Sequence, residues 1–232
     1  MGSFYVQGLF KGLFLLPEFG IIELMIITYL GKQFFKVQQG DLVVAFNPIS
    51  KDSDYGAKVS RFGAQVALST TNHPDYNGIE TVTYGEAAPF TISGPGDYEV
   101  KDISVKGAMT WAEIKGKKYV NTSYSLVFES IKIAFLGALS SGDISAEARE
   151  AVDSPDILFV PIGGGDLLDP SAAYKLAVSL EPKIIIPMDY DEAALKIFLK
   201  EGGGEKAEAL DKLTLKKKDL EGKSGDIIVL SY

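Results

Sequence analysis

The sequence predicts an α/β fold in which sheets pack together with helices on their outer faces. Three observations carry that prediction. Short β-rich runs fill the first half of the chain, strand–helix alternation fills the second, and no stretch rich in Pro, Gly or Ser separates them. At 232 residues the chain is long enough for one domain with a substantial core.

The elements follow in order from Met25. "IITYL", "FFKVQ" and "LVVAF" are β-rich runs separated by "GK" and "QGD", which read as tight hairpin turns. "NPISKDSD" reads as a loop, and "AQVALS" as a strand running into the loop "TTNHPDYNG". "IETVTY", "PFTIS", "YEVKDISVKGAM" and "WAEIKGKKYV" are expected to continue as strands, with "KGKK" at a hairpin tip. "SYSLVFES" and "IKIAFLGAL" read as a strand pair. "SAEAREAV" is then a short helix with Ser145 as its N-cap. "DILFVPIG" and "KIIIPMDY" are buried strands. The helices "DPSAAYKLAVSL", with Pro170 in its first turn, and "DEAALKIFLKEGG", closed by glycine, follow them. Short strands end the chain.

Residues 1–24 are set apart. They are apolar, but Lys11, Pro17, Glu18 and Glu23 interrupt them, so no run approaches the roughly 20 residues that cross a bilayer. They read as a peripheral extension or as a start assigned upstream of the true one, ahead of a single domain over 25–232. An amphipathic membrane contact is the alternative.

Composition excludes several chemistries. The chain has no cysteine, which removes disulfides, zinc knuckles and thiol catalysis. It has one histidine, His73, which removes any zinc site resting on several imidazoles. A formal charge of −8 argues against a nucleic-acid binder that works by phosphate attraction. A cytoplasmic location is compatible with these facts, and an unknown small molecule or protein is the expected partner.

Within this frame several segments together resemble one family. They are "ITYLGKQFFKVQQGDLVVAFNP", "STTNHPDYNG", "GPGDYEVKDISVKGAMTW", "IKIAFLGAL", "DILFVPIGGG" and "KIIIPMDY". In this order they resemble the metallo-β-lactamase fold superfamily, in its branch of small predicted zinc-dependent hydrolases. The resemblance runs from about Met25 to the C-terminus. It implies a four-layer αββα sandwich whose halves meet near Tyr119–Asn121. It also implies a site at the edge where the loops at His73, Ala138, Gly163 and Asp189 converge.

The same resemblance shows what is missing. In the family's His-x-His-x-Asp-His loop, the first histidine is here Thr71 and the last is Tyr76; His73 and Asp75 remain. The bridging aspartate after Leu-Gly is Ala138, and the histidine of Pro-Met-His-Tyr is Asp189. Trp111 and Ala112 lie where a further histidine is expected. Lys32 replaces an early histidine, and Asn47 replaces the aspartate before proline. A hydrolytic zinc needs about three protein ligands and an activated water, so zinc hydrolysis is not expected.

Two readings of the remaining residues stay open. Asp75, Tyr76 and Asp189 would converge in this fold and could hold a hard cation such as magnesium or manganese. Alternatively, no metal is held: Asp75 accepts backbone N–H bonds that shape its loop, and His73 is a half-exposed polar group. Gly163, Gly164 and Gly165 follow a buried strand and precede a helix. They could present N–H groups to an anion, or simply form a turn needing positive φ. No nucleophile-elbow pattern accompanies His73, and Lys216–Lys218 read as a solvated face. The expected protein is a diverged superfamily member that has lost zinc hydrolysis and acts as a binding or interaction module. The alternative is a metal-dependent hydrolase with a residual Asp75/Asp189 site.

Overall fold

The computed structural model describes residues 24–55, 62–128, 130–204 and 207–232. The expectation for residues 1–24 therefore lies outside the described residues, apart from Leu24.

The first sheet holds β1 (Met25–Tyr29), β2 (Phe35–Gln39), β3 (Leu42–Phe46), β4 (Val66–Leu68), β5 (Phe90–Ile92) and β12 (Leu213–Leu215), in the order β12-β1-β2-β3-β4-β5. The second holds β6 (Gly96–Val100), β7 (Ile103–Ile114), β8 (Lys117–Phe128), β9 (Ile131–Phe135), β10 (Ile157–Pro161), β11 (Ile184–Met188) and β13 (Asp226–Ile227). Its order is β13-β11-β10-β9-β8-β7-β6. The chain passes from one sheet to the other between Ile92 and Gly96, and returns late, when β12 pairs with β1.

Strand periodicity sorts the side chains. Met25, Ile27, Phe35, Val37, Val44, Phe46, Val66 and Leu68 face Ile133, Phe135, Ile157, Phe159, Ile184 and Ile186 in one core between the sheets. Phe35 meets Phe159 edge-on at 4.7 Å, and Phe46 stacks on Phe135 at 4.8 Å. The alternate residues of the second sheet, Ala134, Leu158, Val160 and Ile185, pack beneath the helices α1 (Ala146–Val152), α2 (Pro170–Ser179) and α3 (Glu192–Glu201). Both faces of β10 and β11 are therefore covered, and all five positions of each are buried. The outer face of the first sheet (Val43, Ala45, Ala67) is covered, among the described residues, by loop residues Phe34, Ile49 and Val82 instead of an α-helix. No helix among the described residues is long and apolar enough to cross a membrane.

Most element expectations are met, including the Ser145 cap, whose hydroxyl accepts the Ala148 N–H, and the hairpin tip at Lys115–Gly116, where both residues have positive φ. "IETVTY" is a correction. It forms a 3₁₀ turn over Ile79–Thr81 and a loop, not a strand. The Thr81 and Thr83 hydroxyls donate locally, to Gly78 O at 2.7 Å and Ile79 O at 3.0 Å. β5 takes the ladder position beside β4.

The parallel strands place the site. β9, β10 and β11 are parallel neighbours, so the turns at Gly137–Ala138, Gly163–Gly165 and Asp189 leave the same edge of the sheet. The loop after β4 reaches that edge from the other sheet. The two sheets join there: Thr122 N–H donates to Thr70 O at 2.8 Å, and Thr71 bridges to Asn121. Ligand sites of α/β folds gather at such carboxyl-terminal strand edges.

Candidate functional site

Lys32 stands at the centre of the site. It sits in the β1–β2 turn, with Gly31 at φ +96° and Lys32 itself at φ +55°. The Tyr29 hydroxyl ties this turn to the far strand: it donates to Lys32 O at 2.7 Å and accepts the Asp189 N–H at 3.2 Å. Asp189 and Asn47 also hold positive φ, +54° and +44°. Non-glycine residues in this region cost free energy and persist where surrounding bonds fix them.

The Lys32 ammonium lies between two carboxylates. Its Nζ is 3.2 Å from Asp75 Oδ2 and 3.5 Å from Asp189 Oδ1. It also lies 5.2 Å from the Tyr76 ring centroid and 5.7 Å from that of Tyr55, within cation–π range. The sequence reading brought Asp75, Tyr76 and Asp189 together, and the structure does bring them together. It adds the cation that fills the space between them.

Neighbouring polar groups complete the cluster. Asp189 Oδ2 accepts from Gln33 Nε2 at 2.9 Å and from the Tyr76 hydroxyl at 3.2 Å. Asn47 holds Gln33 by donating to its Oε1 at 3.0 Å, and its own Oδ1 accepts the Thr70 N–H at 2.8 Å. Thus the aspartate-to-asparagine exchange at residue 47 places an amide that orients Gln33. Asp75 Oδ1 accepts from Ser53 Oγ at 2.5 Å. The loop is shaped differently from the expectation that the Asp75 carboxylate accepts backbone N–H groups: the Asp75 N–H donates to His73 Nδ1 at 3.3 Å, so the histidine takes the loop-shaping role. His73 also meets Tyr119 edge-on at 5.8 Å.

The two carboxylates differ in character although they share one lysine. Burial alone would raise Asp75, but the Ser53 hydrogen bond and the Lys32 charge outweigh it and hold the carboxyl below the usual aspartate range. At Asp189 burial wins over Lys32, Gln33 and Tyr76, and pushes the carboxyl up. The Tyr76 phenol is driven far upward, first by burial and then by Asp189 and Asp75, so it stays neutral and donates.

The remaining family ligand positions are closed by packing. Tyr76, Ala112, Ile114 and Ala138 form a buried apolar cluster, flanked by Tyr119 and Leu167. Trp111 is at the rim, 44% exposed. The Ala138 N–H donates to Asn121 Oδ1 at 3.0 Å, which also accepts from Thr71 Oγ1 at 3.0 Å. Gly163 is explained by close approach, since a Cβ there would lie 2.3 Å from Asp189 O. Gly164 and Gly165 have positive φ, and the Gly164 N–H is taken by Leu168 O at 3.0 Å. The glycines thus meet the demands of a turn. A cavity of about 430 Å³ opens beside Lys32, bounded by Tyr29, Tyr55, Tyr76, Gly163 and Asp189 among others.

The sequence profile of the family described as the beta-lactamase superfamily domain matches residues 26–189. The chain belongs to this family. Its fold is that of a Thermotoga maritima protein of the metallo-β-lactamase superfamily assigned as a Zn-dependent hydrolase. That protein is 24% identical, with TM-score 0.69, covering 89% of this chain and 98% of that one. It is also similar to a Parabacteroides distasonis protein assigned as a metal-dependent hydrolase, at 16% identity and TM-score 0.62, covering 90% and 94%. A third similar structure is a metallo hydrolase from the archaeon Ignicoccus hospitalis, at 18% identity and TM-score 0.57, covering 83% and 99%. These likenesses show the fold. No curated protein matches the chain.

The family usually binds metals, and the donor set decides whether this chain fits that role. Zinc asks for about three nitrogen, sulfur or carboxylate ligands around one point. Among the described residues no group of three His, Asp or Glu side chains is placed to hold a metal ion. The point between Asp75 and Asp189 is held by an ammonium, and three other ligand positions are apolar or phenolic. The residues present do not fit a catalytic zinc. Lys32, Gln33, Ser53 and Tyr29 were not singled out from the sequence as partners of Asp75 and Asp189. The one available signal was the cationic residue at a family ligand position, Lys32.

Proposed function

We propose that this chain is a binding or interaction module of the metallo-β-lactamase fold, acting in the cytoplasm, whose metal centre has been replaced by an internal cation. The observation that carries the reading is the Lys32 ammonium at 3.2 Å and 3.5 Å from Asp75 and Asp189. A half-buried pair of carboxylates needs a countercharge, and an ammonium on a tethered stem supplies one without an open coordination position for substrate or water. Zinc hydrolysis by this chain is not part of the proposal, and its partner is a small molecule or a protein.

The convergence of two carboxylates and a phenol supports one second reading, a hydrolase using magnesium or manganese on Asp75 and Asp189. That reading needs Lys32 to leave the position the metal would take. Both are tested together by metal analysis of the purified chain, calorimetric titration with zinc, manganese and magnesium, and phosphodiesterase, lactonase and β-lactam assays. The expected result is no stoichiometric metal and no turnover. Tight one-to-one metal binding, or a turnover abolished by Asp75→Ala or Asp189→Ala, would replace the binding-module reading with the hydrolase.

A further inference from the structure

The cavity beside Lys32 holds chemistry that the internal ion cluster does not use. Beyond the lysine, its walls present the rings of Tyr55, Tyr190 and Tyr232 and the carboxylates of Glu113, Asp166 and Asp191. At about 430 Å³ it lies within the ~300–1,000 Å³ range of small-molecule sites. Among the described residues Lys32 is the one basic side chain in its wall, and its charge is already met by Asp75 and Asp189. The described wall therefore carries more negative than positive charge, with Lys32 against Glu113, Asp166, Asp189 and Asp191, which disfavours an anion and draws a cation.

Two of the outer carboxylates are fixed by the backbone. Asp166 Oδ2 accepts the Lys115 N–H at 2.7 Å, and Asp191 Oδ1 caps α3 by accepting the Ala194 N–H at 2.8 Å. Each keeps a second oxygen. Glu113 has no ion-pair partner among the described residues. The Tyr55 hydroxyl donates to the Tyr232 hydroxyl at 3.2 Å, which links two of the rings at the cavity wall. Burial, with a smaller contribution from Tyr232, pushes the Tyr190 phenol up to about 12, so its ring is neutral at pH 7.

The protein already displays the matching interaction with a cation of its own. Lys32 seats an ammonium on a hydrocarbon stem within reach of the Tyr55 and Tyr76 rings and beside two carboxylates. The outer cavity repeats those ingredients, tyrosine rings beside carboxylates, with no cation of the described chain among them. A bare divalent ion would gain little from the rings. A cation with an apolar body uses both.

We propose that this cavity binds an organic ammonium ion of the diamine or polyamine kind, its methylene chain against Tyr55, Tyr190 and Tyr232 and its charge against Glu113, Asp166 and Asp191. This rests on the reading that Lys32 stands in for a metal, because a loaded metal centre would add positive charge to the same cavity and weaken its hold on a cation.

Calorimetric titration of the full chain with putrescine and spermidine tests it, with 1,4-butanediol as the neutral isostere and magnesium chloride and inorganic phosphate as ionic controls. Saturable one-to-one binding of a diamine or polyamine is expected, with no binding of the diol or phosphate. Because Glu113 and Asp166 are exposed, Glu113→Gln combined with Asp166→Asn should weaken binding about tenfold or more, with an unchanged unfolding midpoint. Tyr55→Leu should weaken it about tenfold through loss of a ring face. Equal binding of the diol, displacement by magnesium at equal concentration, preference for phosphate, or full affinity in both variants would overturn the proposal. Absence of amine binding in a chain free of stoichiometric metal would sink this inference and leave the Lys32 reading standing. Stoichiometric metal would remove both.

Discussion

Tyr76, Ala112, Ile114 and Ala138 form a buried apolar cluster, whereas Lys32, Asp75 and Asp189 form a charged one, and the Tyr76 ring, 5.2 Å from the Lys32 ammonium, belongs to both. Both clusters include residues that stand in the family-like segments of the sequence. In the apolar cluster packing fills the space without any desolvated charge. In the charged cluster two carboxylates remain, and a cation from a neighbouring turn neutralises them. The difference teaches that an apolar cluster needs no countercharge, whereas two carboxylates kept together need a cation beside them. Only the second leaves a site whose stability depends on pH.

The largest expected effect comes from reintroducing a ligand on the apolar side. Ala138→Asp would place a carboxylate where Tyr76, Ala112 and Ile114 offer it no countercharge, and should cost about 3–5 kcal/mol in urea unfolding. A variant as stable as the parent would show that the cluster is open to water. Restored metal binding in that variant would show that the family site survives.

On the charged side, Lys32→Met leaves Asp75 and Asp189 without their shared cation. The three side chains are 14–17% exposed, so the cost should fall below that of a fully buried pair, at about 2 kcal/mol near neutral pH. It should shrink as the pH falls into the carboxylate range, where protonation relieves the repulsion. Equal cost at all pH values would mean that the lysine acts by packing its stem and not by its charge.

The smallest effects separate the two aspartates. Asp75 has a lowered pKa in the folded state, so its contribution is present above the unfolded value and is lost as the pH falls through the folded one. Asp75→Asn should cost about 1 kcal/mol near neutral pH and flatten the acid limb of the stability profile. Asp189 has a raised pKa, so stability is fully present below the unfolded aspartate value and is lost as the pH rises through the folded one. Asp189→Asn should therefore cost less than Asp75→Asn near neutral pH and remove that decline. Identical pH profiles for the two variants would erase the distinction drawn between them.

Much of this was legible in the sequence. The alternating burial of "MIITY" and the fully apolar "LVVAF", "ILFVP" and "IIIPM" follow directly from strands covered on one or both faces. The ordered family segments located the edge where His73, Ala138, Gly163 and Asp189 meet. The β-branched residues of "IETVTY" fit a strand equally well, but its threonine hydroxyls find local carbonyls instead. The loop-shaping bond at Asp75 was assigned to the wrong group, because spacing does not reveal which of two neighbours accepts.

The sequence by itself determined that the chain has one imidazole and no thiol, that its ligand positions are largely replaced, and that its strands must bury particular faces. Those facts depend on residue type and on periods of two, which a linear reading contains. Only the tertiary structure decided what fills the space between Asp75 and Asp189. Lys32 and Asp189 are 157 positions apart in the chain, and only packing of the two sheets brings Nζ within 3.5 Å of Oδ1. Electrostatic neutralisation depends on distance through space, and that distance is set by the fold.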